Sequence, residues 1–89
     1  NYKKMKKLDS IKYGLNSRIK LFQNTKKEVF LIIDRKSRVI MKDGLRIIDI
    51  AEKVKSKEEY TGFYLKTSAP VCSKTKLYLN QRNVLIEPI

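Results

Sequence analysis

Val29-Phe30-Leu31-Ile32-Ile33-Asp34 is the stretch on which the fold turns. Five apolar residues run without a polar break, three of them β-branched and one aromatic. Such a run reads as a buried central strand that ends at Asp34. Upstream, Ile11, Leu15, Ile19 and Phe22 recur at spacings of four, four and three, which predicts a helix over Ser10 to Asn24 with Ser10 as its cap. Gly14 sits inside that span and costs roughly 1 kcal/mol against Ala in a helix interior, so Gly14 is the alternative start. Residues 1–10 read as a basic N-terminal arm or a first helical turn, leaving 11–89 as a single domain.

Downstream, Arg38-Val39-Ile40-Met41 reads either as the second arm of a hairpin or as a loop and helix start, with the short strand slightly favoured. Leu45 to Lys55 carries a helical stripe through Leu45, Ile48 and Ala51. Tyr60 to Thr67 reads as a strand, broken at Ser68-Ala69-Pro70. Val71 to Gln81 reads as a helix with Leu77 and Tyr78 inward, and Val84-Leu85-Ile86 as a closing strand. Strands alternating with helices imply right-handed crossovers. The expectation is therefore a small single-domain α/β sandwich: a mostly parallel β-sheet of 3–4 strands flanked by about three helices.

Charge bounds the function. The chain has 89 residues, with 21 Lys plus Arg against 9 Asp plus Glu and a net charge of +12. A compact body so charged repels itself and is relieved by an anionic partner. Nucleic acid is the first such partner and an anionic membrane surface the second. Residues 1–27 hold nine Lys/Arg (Lys3, Lys4, Lys6, Lys7, Lys12, Arg18, Lys20, Lys26, Lys27) and Asp9 as their one acid. No apolar run reaches the ~18 residues of a membrane span. Cys72 is the one cysteine and there is no His, so neither an internal disulfide nor a zinc site is expected. A single Cys fits a reducing compartment, and the cytoplasm is the expected location.

Catalytic groups are sparse. Without His there is no ordinary neutral-pH proton shuttle, and Cys72 lacks an obvious base. Asp34, at the end of the central strand, stands where α/β sheets place ligand groups, but it reads equally as a cap or an ion-pair partner. Ser68-Ala-Pro-Val-Cys-Ser73-Lys74-Thr75 copies the spacing of a phosphate loop with serine in place of both glycines. The tight backbone approach to phosphates needs those glycines. The weaker expectation is an anion site at the helix start, carried by Ser73 and Lys74. No cofactor is expected.

Gly14-Leu15-Asn16-Ser17-Arg18-Ile19-Lys20 gives G-x-N-x-x-x-K at the expected helix start, followed by Lys26-Lys27 and then the central strand ending at Asp34. In that order these residues resemble the kink-turn RNA-binding family of ribosomal proteins, and Ser73-Lys74-Thr75-Lys76-Leu77 is similar to that family's S-K-x-x-L. The resemblance implies an α/β/α sandwich in which Gly14, Asn16 and Lys20 meet the sheared G·A pairs and phosphates of a bulged RNA. The expected function is thus a non-catalytic RNA- or polyanion-binding module, part of a ribonucleoprotein. Its nucleic-acid-binding residues would be Lys12, Gly14, Asn16, Arg18, Lys20, Lys26, Lys27, Ser73 and Lys74. The alternative is a small protein-interaction or ligand-binding domain within a larger nucleoprotein or enzyme assembly, with a protein partner.

Overall fold

The computed structural model describes residues 5–89; Lys3 and Lys4 of the basic N-terminus lie outside them. The sheet has five strands in the order in which the chain makes them: β1 (Lys6–Leu8), β2 (Lys20–Gln23), β3 (Glu28–Ile33), β4 (Gly62–Thr67) and β5 (Val84–Pro88). β1 pairs antiparallel with β2, and β2 with β3. β3 pairs parallel with β4, and β4 with β5. Helix α1 (Met41–Lys55) connects β3 to β4, and α2 (Ser73–Gln81) connects β4 to β5. Two successive right-handed crossovers in one direction across a sheet put both helices on the same face.

This corrects the expected architecture. The sheet has five strands rather than three or four, is mixed rather than mostly parallel, and carries two helices rather than about three. The missing helix is Ser10 to Asn24. Ser10–Tyr13 makes one 3-10 turn, with the Asp9 carboxylate accepting from Ile11 N–H at its start. Gly14 ends the turn at φ +74°, the left-handed conformation glycine adopts without a Cβ penalty. Asn16 then accepts the Arg18 N–H at 2.8 Å through its side chain, a local turn that competes with helix. Beyond it, Leu21-Phe22-Gln23 alternates faces as a strand does. The four-residue spacing was fortuitous, for Ile11 is 65% exposed.

Elsewhere the reading of the chain and the structure differ by a few residues. Val39 makes a lone parallel bridge to Val71, and α1 starts two residues later. In α2, Thr75 and Leu79 face inward while Leu77 is 60% exposed.

The core lies between the sheet and the two helices. Val29 and Leu31 of β3, Phe63 and Leu65 of β4, Leu21 and Val84 meet Ile47, Ile50, Ala51 and Val54 of α1 and Leu79 of α2. Each fully buried side chain of this size contributes about 1.5–3 kcal/mol. Gly44 lets the helices approach: a Cβ there would stand 3.0 Å from Thr75 Cγ2. The opposite face of the sheet carries Phe30 stacked on Tyr64, ring centroids 4.9 Å apart and 18° from parallel.

Candidate nucleic-acid interface

The carboxyl ends of β3 and β4 open onto one rim of the molecule, and both helices begin there. Helix N-termini present unpaired N–H groups and the positive end of the helix dipole. The segments that build this rim are rich in cations. Arg18 and Lys20 lead into β2; Arg35, Lys36 and Arg38 follow β3; Lys42 and Arg46 lie in the first turns of α1; Lys74 lies in the first turn of α2. Asp9, after β1, and Glu87, in β5, lie at the same end of the sheet, and within the cationic segments themselves stand two carboxylates, Asp34 and Asp43.

Both carboxylates are already engaged. Asp43 accepts from the Arg35 guanidinium at 2.7 Å and from the Ile40 N–H at 2.9 Å. Burial works against its charge, but the Ile40 N–H and Arg35 outweigh it and hold the carboxyl below the ordinary range. Asp34 accepts from the Ser68 hydroxyl at 2.6 Å. Among the described residues the ion pairs are Arg35–Asp43, Lys12–Glu58 and Lys53–Asp49. Seven of the eight rim cations therefore carry a charge without a carboxylate partner.

The residues expected from sequence fall in three places. Arg18, Lys20, Ser73 and Lys74 share the rim, brought together by topology from opposite ends of the chain. Lys26 and Lys27 occupy the β2–β3 hairpin, at the other end of the sheet. There Asn24 Oδ1 accepts from the N–H groups of Lys26 and Glu28, and Lys27 takes the left-handed conformation at φ +63°. Lys12 ends the 3-10 turn, with its ammonium 3.5 Å from Glu58 Oε2. Gly14 and Asn16 shape the turn between Tyr13 and β2, and the Asn16 Oδ1 is occupied by Arg18 N–H. Arg35, Arg38, Lys42 and Arg46 were missed. Their signal was positional: a loop and a helix start that follow a buried strand lie at its carboxyl end.

Cys72 caps α2 through its backbone, Lys76 N–H donating to its carbonyl at 2.9 Å. The N–H groups of Lys74 and Thr75 face its sulfur and pull the thiol pKa below the ordinary 9.0, with burial opposing and the Thr75 hydroxyl and Arg38 assisting. No group of three or more His, Cys, Asp or Glu gathers among the described residues. No helix of the described residues is long and apolar enough to cross a membrane.

The rings on the far side of the sheet are engaged internally. Tyr64 donates to Glu28 at 2.8 Å, and the Lys66 ammonium sits 5.7 Å from the Phe30 ring centre. A stacked cross-strand pair with its hydroxyl tied down is a sheet-stabilising device, and it offers few open ring faces to a base. Comparison with protein-family models, with curated proteins and with solved structures finds no match.

Proposed function

We propose that this chain is a non-catalytic module that binds RNA through its phosphate backbone, on the rim where α1 and α2 begin. One observation carries the reading: eight basic residues lie in the segments at that end of the sheet, and the two carboxylates within those segments, Asp34 and Asp43, are already hydrogen-bonded. Arg and Lys beside helix N-termini suit phosphate oxygens. Such contacts position a nucleic acid and carry little sequence information, in keeping with ring faces that are engaged elsewhere. A binding role without chemistry accords with a chain that has no His. The free thiol of Cys72 fits a reducing compartment.

The test is binding to structured RNA, single-stranded RNA and duplex DNA at two salt concentrations. RNA affinity should exceed DNA affinity and fall steeply with salt as counterions are released. Lys20→Ala/Arg38→Ala/Lys74→Ala should weaken RNA binding and flatten the salt dependence. Lys26→Ala/Lys27→Ala, at the other end of the sheet, should do so much less. No retention of nucleic acid at low salt would end the proposal, and the reverse ranking of the variants would move it to the hairpin end.

A further inference from the structure

Between the segment Arg18–Ile19 and α1 the helix-bearing side of the sheet is incompletely covered, leaving a cavity of about 230 Å³. Its floor is aliphatic: Ile19, Leu31, Ile33, Ile47 and Ile50. Its polar wall is Arg18, Asp34, Arg35, Asp43 and Arg46. Two features ask for a ligand. Ile19 and Ile33 are only partly buried although they pack against the core, so apolar surface is left to water in a concave place. Arg18 and Arg46 have no carboxylate within ion-pair distance among the described residues, whereas Asp43 is held by Arg35 and Asp34 by Ser68.

We infer that this cavity is a binding site for a small organic anion, one with an apolar body and a single carboxylate or phosphate group. The body rests on the isoleucines and the oxyanion takes the guanidiniums of Arg18 and Arg46. Planar guanidinium forks bind two oxygens of such a group at once, which a lysine ammonium does not. The volume is below the ~300–1,000 Å³ of drug-sized pockets. A nucleic-acid backbone supplies the charge but not the apolar body, so the site goes beyond the proposed function while sharing Arg18, Arg35 and Arg46 with its rim.

Amide chemical shifts of the full chain, titrated with small probes, test this. Benzoate and phenyl phosphate join ring and oxyanion and differ in which oxyanion. Benzyl alcohol has the body alone; acetate and inorganic phosphate have the charge alone. At least one of the two joined probes should shift Ile19, Ile33, Arg46 and Ile47 saturably, about tenfold more tightly than any single-feature probe. Arg46→Gln should weaken that probe about tenfold, the loss of one charge-assisted contact. Ile19→Phe, at a half-buried position, should fill the cavity and abolish the shifts with the remaining spectrum retained. Equal response to acetate and benzoate, or shifts centred elsewhere, overturns the inference. RNA retention by the same sample separates the two readings: RNA binding with no probe shifts sinks the cavity alone, and probe shifts without RNA binding sink the polyanion reading alone.

Discussion

Thr75 is the residue at which α1, α2 and the one thiol of the chain meet. Its side chain is fully buried between the helices, and its hydroxyl has no hydrogen-bond partner among oxygen and nitrogen atoms. An unsatisfied buried hydroxyl costs about 1–3 kcal/mol. Beside it the Cys72 thiol is shifted toward the thiolate, against burial, chiefly by the N–H groups of Lys74 and Thr75. Thr75→Val keeps the volume and removes the hydroxyl. The expected outcome is a higher melting temperature, by the equivalent of roughly 1 kcal/mol, with the pH midpoint of iodoacetamide alkylation at Cys72, held by the backbone N–H groups, little changed. A lower melting temperature would show that the hydroxyl is well partnered in solution.

The 3-10 turn is tied to the segment just after α1 by the Tyr13–Glu58 hydrogen bond, the Lys12–Glu58 ion pair and a Lys57–Lys12 hydrogen bond, and the pH behaviour of the first can be signed. Tyr13 is buried and donates to Glu58 at 3.0 Å. Burial first, then the Glu58 carboxylate, pushes the Tyr13 pKa up to about 12 from the ordinary 10.0. A pKa raised in the folded state contributes stability in full below the unfolded value, and loses it as pH climbs through the folded one. Glu58 is shifted down from the ordinary 4.5, chiefly by the Tyr13 hydrogen bond, so its share fades as pH falls below the carboxylate range. Tyr13→Phe should cost about 0.5–1.5 kcal/mol at neutral pH in urea unfolding. The gap to wild type should close between pH 10 and 12 and again at acid pH; a gap that stays constant across pH contradicts the Tyr13–Glu58 link. At this scale the sequence was legible where hydrophobic runs are long. The stretch Val29–Ile33, the helical period of Leu45–Lys55 and the run Tyr60–Thr67 name their own elements, though α1 buries Ile47, Ile50, Ala51 and Val54 and leaves Leu45, read as part of its stripe, 56% exposed. Lys6–Leu8 and Lys20–Gln23 did not, because three- and four-residue strands carry too few residues for a period to emerge. Gly14 and Asn16, expected to contact RNA, also take a left-handed backbone position and a side-chain-capped turn, a local role the sequence reading did not give them. Of the rim, Arg18, Lys20, Ser73 and Lys74 were legible as charge at chain positions. That they share one end of the sheet depends on strand pairing, which no local pattern encodes.

The whole molecule packs a charge of +12 into a body whose Cα radius of gyration is 12.1 Å, close to the ~12 Å expected of an uncharged domain of the same length. A charge of that size in so small a body repels itself, and an anion that binds the folded surface should relieve the repulsion. Heparin or RNA at a hundredfold its Kd should add about 2.7 kcal/mol, a melting-temperature rise on the order of 10 °C for a domain this small. Neutral dextran should add almost nothing. An equal response to dextran and heparin in a thermal melt would mean that the charge is without a binding role. One last property follows from the order of the strands, which in space repeats the order along the chain. Every strand pairs only with its immediate predecessor and successor, so no strand has to be slotted between two that are already in place. Assembly can start at the β3–α1–β4 unit and spread to both margins by short-range steps. The β3–β4 pairing still spans the whole of α1, Glu28 meeting Gly62, so closing that one loop is the slow step that the other pairings follow.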